Sequence, residues 1–342
     1  MNSDVDISII IPTHNRQDLL RSTLESALAQ DAGDIKYEII VVDNNCRDHS
    51  RQVIENFASK SNGRVRYVFE ANEGVSYARN TGIREARGPI LGFCDDDVCL
   101  DPNWLSQIKK AFDTHPNIQF VGGKVLPIWS NSPPEWLTRD HWMPLAILDY
   151  GEHEIFLTPE TSKGLVAANF AVRSPVFDRI GVFSETLQLK GGGIGSVEDH
   201  ELIRRIWHAG EIGLYLPQAI VTTVVPMERM TKAYHRRWHR GHGHFFSLLR
   251  EEEMERATAY LFGVPSHLYR QVITDSFGWL RYALYGSAAR SFFHETGLQF
   301  CFGFFKQRVG EHRATSNHGV FREFFKFILK LIFRTNPKPH QS

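Results

Sequence analysis

Four short apolar segments in the first hundred residues are each followed by polar side chains. They are residues 7–12, 37–42, 65–69 and 89–94. Continuous apolar segments of this length, without strict polar alternation, are typical of strands that are buried on both faces of a parallel sheet. Helices are predicted between them near residues 16–30, 49–60 and 75–87. The alternation of strand and helix predicts a doubly wound, mostly parallel α/β sheet.

The pattern changes towards the C-terminus, where aromatic residues become frequent. Further elements are predicted as a helix at 104–112, strands at 119–125 and 212–225, and helical structure over 266–310. At 342 residues, the chain is long enough for two domains. We predict an α/β domain over residues 1–245 and a helical, membrane-associating extension over residues 246–342.

Two local signals predict where the first helices begin and end. Asn15 is the predicted N-cap of the helix near residues 16–30, because its short side chain can accept a hydrogen bond from a free backbone N–H. Gly88 is the predicted C-cap of the helix near residues 75–87, because glycine readily adopts a left-handed conformation.

Three consecutive carboxylates, Asp95, Asp96 and Asp97, follow the fourth apolar segment. Open α/β sheets bind ligands at the carboxyl ends of their strands. While the chain stays extended, Asp95 and Asp97 point to the same side of the sheet. Adjacent carboxylates suit a hard divalent cation, Mg²⁺ or Mn²⁺, whose shell phosphate oxygens would complete. The alternative is a solvated acidic turn after a strand.

Other polar side chains are predicted at the same rim of the sheet. Asp43 comes directly after the second apolar segment, and Asn72 lies in the loop after the third. Neither Gly-x-Gly-x-x-Gly nor a Walker sequence follows the first segment, which argues against a dinucleotide dehydrogenase or a P-loop enzyme. If the site binds a phosphate group, it would therefore need another means of holding it, and a bound metal ion is the candidate.

Two residues further along the chain have both a structural and a functional interpretation. Asp199 follows a glycine-rich stretch, and Ser196-x-x-Asp199 resembles a capping box. A carboxylate held at a helix start beside such a stretch also fits a general base, and the two roles are compatible. Asn169 interrupts an apolar segment, where its amide needs partners from either a ligand or the core.

Charge and cysteine content narrow the class of protein. Lys+Arg and Asp+Glu both number 39, so no overall field attracts nucleic acid. The 4 cysteines lack zinc-ligand spacing, which indicates a reduced, cytoplasmic compartment. The acidic N-terminus does not resemble a signal peptide. The sequence contains no run of about 18 uncharged apolar residues, so we predict no membrane-spanning helix.

Residues 321–334 combine apolar and cationic side chains in a regular pattern. Arg322, Lys326, Lys330 and Arg334 recur every four residues among mostly apolar neighbours. The pattern predicts a helix with a narrow cationic stripe and a wide apolar face, which suits a membrane interface. The alternative is a helix that packs on the body of the protein itself.

Together, these motifs resemble family 2 glycosyltransferases, which have the GT-A fold, over roughly residues 7–245. The matching segments are residues 9–16 (IIIPTHNR), 41–45 (VVDNN), 72–74 (NEG), 78–83 (ARNTGI), 95–97 (DDD) and 198–202 (EDHEL). The resemblance implies a GT-A sheet flanked by helices. It also implies an inverting transferase that uses a nucleotide sugar and a divalent metal.

The same resemblance implies roles for individual residues. Nucleotide-sugar binding is implied for Pro12, Thr13, Asn15, Asp43, Asn72, Arg79, Asp95 and Asp96. Asp97 would bind the metal directly, Asp95 would contact the ribose or the metal, and Asp199 would deprotonate the acceptor hydroxyl. Glu198 and Asn169 would position acceptor or donor.

The sequence departs from the family at one position and adds a basic segment. Many relatives carry a His where this chain has Thr223, and that His can complete the metal shell. Here another group replaces it, or the metal is held more weakly. Arg236, Arg237 and Arg240 are candidates for additional positive charge at the diphosphate.

The predicted function is a glycosyltransferase at the cytoplasmic face of a membrane. It would move a sugar from a UDP-sugar to a glycan or lipid-linked acceptor in surface polysaccharide or glycoconjugate synthesis. One alternative, a sugar nucleotidyltransferase, should carry a glycine-rich basic loop after the first strand, and none is present. The other, a non-catalytic nucleotide-sugar or glycan-binding subunit, does not need Asp95, Asp97 and Asp199 together.

Overall fold

The predicted apolar segments form the strands of a mixed sheet. In the computed structural model, which describes residues 4–161, 163–188 and 194–315, this sheet has nine strands. They are β1 (Ile7–Thr13), β2 (Tyr37–Asp43), β3 (Val65–Phe69), β4 (Ile90–Phe93), β5 (Val98–Leu100), β6 (Ile118–Trp129), β7 (Ile155–Leu157), β8 (Phe170–Arg173) and β9 (Ile212–Val225).

The strand order explains why the sheet is mostly parallel. The order is β3-β2-β1-β4-β8-β6-β9-β5, and β7 also pairs with β9. Strands β1 to β4 run parallel, and β8 runs antiparallel between β4 and β6. Strand β6 is parallel to β9, whereas β5 and β7 are antiparallel to it. The predicted α/β class with a mostly parallel sheet is confirmed.

The helices complete two compact units. They are α1 (Gln17–Leu28), α2 (Ser50–Lys60), α3 (Val75–Glu85), α4 (Trp104–Thr114), α5 (Pro175–Ile180), α6 (Glu198–His208), α7 (Lys232–Leu249), α8 (Glu252–Glu255), α9 (Ser266–Leu284) and α10 (Ala288–Thr315). Among the described residues, the first unit comprises 4–133, 141–161, 163–188 and 197–230, and the second comprises 134–140, 194–196 and 231–315. The predicted division at residue 245 stays a prediction.

Pairing in register aligns the ends of the central strands. Thr13 pairs with Asp43, and Ile10 pairs with Phe93 three residues before the end of β1. The strands are buried along their length, because apolar helix faces cover them. Residues just beyond β1, β2 and β4 therefore lie along one edge of the sheet.

The second unit is built on close helix contacts. A Cβ at Gly243 would lie 2.0 Å from the carbonyl oxygen of Phe300, and one at Gly303 would lie 1.9 Å from that of Arg240. Only glycine lets α7 and α10 approach this closely. Helix α9 packs along α10. Two short strands, β10 (Tyr260–Leu261) and β11 (Val264–Pro265), form a small hairpin that directly precedes α9 in the chain.

The two predicted helix caps are wrong, because contacts distant in sequence replace them. Asn15 has φ 55° and accepts the Arg47 N–H at 2.6 Å, while Asp48 accepts the N–H of Gln17 at 3.0 Å. Helix α3 ends at Glu85. Gly88 packs instead against β1, where a Cβ would lie 2.8 Å from a backbone nitrogen.

Candidate active site

The acidic run lies at the rim formed by the carboxyl ends of β1, β2 and β4. Thr13, the last residue of β1, donates its hydroxyl to Asp96 Oδ2 at 2.7 Å. Arg16 donates to Asp96 Oδ1 at 3.0 Å and to Asp97 Oδ2 at 3.2 Å. These bonds attach the loop that carries Asp95, Asp96 and Asp97 to the end of β1.

Asp96 lies beneath the rim and not on it. It is 4% exposed, and Thr13 and Arg16 occupy both of its carboxylate oxygens. Burial raises the pKa of Asp96 to about 6, and the nearby Arg16 acts in the opposite direction. The implied contact of this side chain with the nucleotide sugar stays a prediction, and the observed bonds of Asp96 are to Thr13 and Arg16.

Asp95 and Asp97 are the accessible carboxylates of the run. Their side chains are 32% and 17% exposed. Asp97 Oδ2 lies 3.2 Å from Arg16 Nη1 and 3.8 Å from Arg229 Nη2. Burial, followed by repulsion from Asp95, raises the pKa of Asp97. An additional cation between the two carboxylates would relieve this repulsion.

The chemistry of this pair fits a divalent cation held in part by its substrate. Within the part of the chain that the structure describes, no group of three or more His, Cys, Asp or Glu side chains is arranged to hold a metal. Mg²⁺ commonly binds through one or two carboxylates and takes its other ligands from water and substrate phosphates. Asp95 and Asp97 match this mode of binding.

Arg79 on α3 connects the acidic run to the start of α6. Its buried guanidinium donates to Asp95 Oδ1 at 3.0 Å, and to Glu198 Oε1 and Asp199 Oδ1 at 3.1 Å each. Burial opposes the positive charge, but the three carboxylates outweigh it and raise the pKa of Arg79 above its ordinary value. These four residues are called the Arg79 cluster below.

The start of α3 fixes where Arg79 lies. Gly74 has φ 144°, a conformation that favours glycine, and its N–H donates to Asn44 Oδ1 at 2.7 Å. Asn44 in turn donates to the carbonyl oxygen of Asn72 at 2.6 Å. The exposed side chain of Asn72 donates to Glu70 Oε1 at 3.0 Å. Asn44 thus joins the end of β2 to the loop that begins α3.

Arg79→Met should lower the free energy of unfolding by about 3–5 kcal/mol, because it leaves the carboxylates of Glu198 and Asp199 without their buried cation. Urea denaturation followed by circular dichroism measures this loss. The control is Arg51→Met, which breaks an exposed pair with Glu55 on α2 and should leave stability nearly unchanged. Equal stability of the wild type and Arg79→Met would contradict the proposed importance of the Arg79 cluster.

Asp199 lies in the first turn of α6 and is held from two sides. Its Oδ1 accepts from Arg79, and its Oδ2 accepts the Ala167 N–H at 2.9 Å. Burial raises the pKa of Asp199 to about 7, with Arg79 lowering it and Glu198 raising it further. Val197 is the N-cap residue and no side chain caps α6, so the capping-box interpretation is wrong. The carboxylate is therefore poised to exchange a proton near neutral pH.

Glu198 lies deeper than Asp199. It is buried, and among the described residues neither its Oε2 nor Arg79 Nε has a hydrogen-bond partner. Buried polar atoms nearly always have a hydrogen-bond partner, so these two atoms are exceptions within the candidate site. The implied role of Glu198 in positioning acceptor or donor stays a prediction.

The remaining predicted nucleotide residues lie around the ends of β1 and β2. Pro12 is buried within β1, and Asn15, two residues after the end of that strand, has a left-handed backbone with φ 55°. Asp43 is buried, and its oxygens accept the Cys46 N–H at 2.8 Å and the Tyr67 hydroxyl at 3.1 Å. Their implied contacts with the nucleotide stay predictions.

Asn169 is a satisfied core amide. Its Oδ1 accepts from Trp104 Nε1 at 2.7 Å, and its Nδ2 donates to the carbonyl oxygens of Lys124 and Ala219, both at 2.8 Å. It has no exposed surface. Asn169 thus links α4 to β6 and β9, and its implied role in positioning acceptor or donor stays a prediction.

Arg229 is a residue of the site that the sequence reasoning missed. Thr223, which stands where relatives carry His, pairs on β9 with Val98, the residue after Asp97. Arg229 lies in the turn that follows β9 and approaches Asp97. The basic segment after β9 was visible in the sequence, but its approach to an acidic run more than a hundred residues earlier was not.

Two groups of candidate residues lie elsewhere. Arg236 and Arg240 are on α7 in the second unit, where they pair with Glu295 and Gln299 of α10. Their predicted help at the diphosphate stays a prediction. The cationic segment at residues 321–334 lies outside the described residues. In the part of the chain that is described, no helix is both long enough and apolar enough to cross a membrane.

Comparison with known proteins identifies the class. The family model described as glycosyl transferase family 2 matches residues 8–181, which is just over half of the chain. The chain belongs to this family and is a glycosyltransferase. It is 26% identical over 222 residues to the glucosyl-dolichyl phosphate glucuronosyltransferase of Haloferax volcanii. The matched region covers 63% of this chain and 68% of that relative.

A second curated relative is also a glycosyltransferase, and two solved structures have a similar fold. Glycosyltransferase AglE of Haloferax volcanii is 26% identical over 190 residues, 55% of this chain and 59% of its own length. A mannosyltransferase from Pyrobaculum calidifontis, solved with GDP-Man and Mn²⁺, has TM-score 0.54 at 16% identity, covering 98% and 85% of the two chains. TarS 1-349 of S. aureus, solved with UDP-GlcNAc, has TM-score 0.52 at 16% identity, covering 89% and 92%. The fold is GT-A, as predicted.

Proposed function

We propose that this glycosyltransferase moves a sugar from a UDP-sugar to a hydroxyl of a glycan or lipid-linked acceptor, with inversion at the anomeric carbon. The observation that carries the proposal is the Arg79 cluster. One buried guanidinium contacts Asp95 at the rim of the sheet and Asp199 at the start of α6. Arg79 would therefore fix the distance between a donor bound at the rim and a base on α6.

The two carboxylates have different tasks in this reaction. Asp199 takes the proton of the acceptor hydroxyl, which is a poor nucleophile until it is deprotonated. Attack from the face opposite the leaving nucleoside diphosphate inverts the anomeric centre in a single displacement. Asp95 and Asp97 lie on the side of the leaving group, where Arg16 and Arg229 add positive charge next to Asp97.

A divalent cation, Mn²⁺ or Mg²⁺, fits Asp97 and Asp95 as direct ligands. When bound, such a cation stabilises the negative charge that develops on the departing diphosphate. Two structures with the same fold were solved with Mn²⁺, the mannosyltransferase above and GalNAc-T7, the latter at TM-score 0.52 and 18% identity over 70% of this chain and 48% of that one. With Thr223 in place of His, Asp97 and the substrate phosphates would supply a larger share of the ligands.

The pH dependence of kcat/KM should report Asp199. The carboxylate accepts a proton only when it is ionised, so kcat/KM rises with pH up to about 7 and then levels off. Glu198→Gln removes a neighbouring negative charge that raises the pKa of Asp199, so the inflection should move to lower pH. Initial rates across a pH series measure both. A flat profile through the neutral range would contradict Asp199 as the base.

The acceptor and the location are parts of the same proposal. The named function of the Haloferax volcanii glucuronosyltransferase involves a lipid-linked glycan, glucosyl-dolichyl phosphate. The cationic segment at 321–334 matches a peripheral position on the cytoplasmic face of a membrane. We therefore propose that the acceptor belongs to surface polysaccharide or glycoconjugate synthesis.

A donor screen tests the proposed function. UDP-, GDP- and dTDP-sugars are incubated with the protein and Mn²⁺, and thermal shift identifies those that bind. For binding donors, released nucleoside diphosphate and pyrophosphate are quantified with a lipid-linked glycan extract as acceptor. The proposal expects nucleoside diphosphate from a UDP-sugar. Release of pyrophosphate when UTP and a sugar 1-phosphate replace the UDP-sugar would support the nucleotidyltransferase alternative, and donor binding without turnover would support a non-catalytic subunit.

A further inference from the structure

Helix α9 in the second unit presents an apolar stripe to the solvent. The stripe consists of Ile273, Phe277, Leu280 and Leu284, which are between 52% and 77% exposed. Their spacings of four, three and four residues place all four side chains on one narrow face of the helix. Isolated exposed apolar residues are ordinary, but a continuous stripe along three turns marks an interaction surface.

The rest of α9 is firmly held, so the stripe is a fixed feature. On the opposite side, Gly278 lies against His294 of α10, where a Cβ would come within 2.6 Å of the imidazole. Asp275 Oδ1 lies 2.9 Å from His294 Nδ1, which is within hydrogen-bond distance. Tyr269 contacts Phe305, with ring centroids 4.8 Å apart. One face of α9 therefore packs on α10 while the other remains open among the described residues.

Charge around the apolar stripe is positive. Arg270 and Arg281 are exposed and flank it on one side, as their helical positions require. Asp275 is the only acidic residue in the sequence from 266 to 290, and it lies on the α10 side of the helix. Tyr285, the C-cap residue of α9, is exposed directly after Leu284 at the C-terminal end of the stripe, on the side that carries Arg281. Apolar, aromatic and arginine side chains thus occur together without an exposed acid.

We propose that this face of α9 binds the surface of a bilayer containing anionic phospholipid, with the helix axis parallel to the membrane plane. The apolar stripe would enter the boundary between headgroups and acyl chains, as interfacial amphipathic helices do. Arg270 and Arg281 would contact lipid phosphates, and Tyr285, on the same side of the helix, suits the headgroup level.

Charge favours the membrane over the C-terminal segment of the chain as the occupant of this face. Residues 321–334 carry Arg322, Lys326, Lys330 and Arg334 and one acidic residue, Glu323. Their positive charge would be repelled by Arg270 and Arg281, whereas an anionic surface attracts both segments. The α9 surface and the C-terminal segment would then act on the same membrane. This contact does not depend on the identity of the donor sugar.

Co-sedimentation of the full chain with vesicles tests the proposal. Phe277→Ser with Leu284→Ser should weaken partitioning onto phosphatidylcholine–phosphatidylglycerol vesicles by more than about tenfold. Arg270→Gln and Arg281→Gln should each weaken it by about fivefold, and only when phosphatidylglycerol is present. The control, Phe156→Ser, removes a comparably exposed aromatic from β7 in the first unit and should bind like wild type.

A local probe and an oligomer measurement complete the test. Phe277→Trp places an indole on the stripe, and brominated lipid should quench its fluorescence, whereas Phe156→Trp on β7 should gain no such quenching. Circular dichroism should be identical for all variants, since the changed side chains are exposed. Unchanged vesicle binding by Phe277→Ser with Leu284→Ser would overturn the proposal. So would a wild-type dimer, seen by light scattering, that these substitutions convert to monomer without any effect on vesicle binding.

Discussion

Replacing Asp199 by asparagine is expected to abolish sugar transfer while leaving affinity for the nucleoside diphosphate nearly unchanged. Loss of a general base typically lowers kcat by about 10²- to 10⁴-fold, because the acceptor hydroxyl then keeps its proton in the transition state. The nucleotide should bind as before, because Asp95, Asp97 and Arg16 are unaltered at the rim of the sheet. Turnover and calorimetric titration with the nucleoside diphosphate measure the two quantities separately.

A matched control separates this effect from damage to α6. Asparagine can retain only one of the two accepting bonds that Asp199 makes to Arg79 and Ala167, so a modest loss of stability is expected. Glu201→Gln changes an acid on the same helix that pairs with Arg205 and not with Arg79. It should keep full activity. Full activity of Asp199→Asn would remove Asp199 as the base.

Alanine at both Asp95 and Asp97 is expected to abolish metal-dependent nucleotide binding. These two carboxylates are the accessible members of the acidic run and the only proposed protein ligands of the cation. Without them, the protein would have no carboxylates at the rim to hold the cation, and the cation could no longer help to bind the diphosphate. Titration of UDP in the presence of Mn²⁺, and again with a chelator, measures the metal-dependent part of the affinity.

The same titration on a control variant shows whether the loss is specific. Asp113→Ala removes an exposed carboxylate on α4 that pairs with Lys109, and it should leave UDP binding unchanged. Removal of Asp97 also frees Arg16, which retains Asp96 as a partner, so the loop should stay folded. If the double alanine variant binds UDP as the wild type does, with the same dependence on Mn²⁺, the metal assignment is wrong.

Much of the sheet could be predicted because its buried strands have a local signature. The predicted segments 37–42 and 65–69 agree closely with β2 (Tyr37–Asp43) and β3 (Val65–Phe69). Strands that are covered on both faces require continuous apolar segments, and these segments end where the chain reaches solvent. The prediction that Asp43 and the acidic run share one edge followed from the strand ends alone.

What could not be predicted depends on contacts between distant segments. Asn15 and Asp199 have side chains suited to helix caps, yet bonds to Arg47, Arg79 and Ala167 take precedence over local capping. Only three-dimensional structure brings Arg79 to a carboxylate 120 residues away. The short antiparallel strand β8 has four residues, too few for a distinctive pattern.

The most direct test is anomalous diffraction from crystals grown with Mn²⁺ and the donor that the thermal-shift screen selects. The account predicts a manganese peak about 2 Å from a carboxylate oxygen of Asp97, with diphosphate oxygens in the same shell. It also predicts that the anomeric carbon lies between this cation and the Asp199 carboxylate. A peak away from both Asp95 and Asp97, or a donor whose anomeric carbon faces away from Asp199, would contradict it.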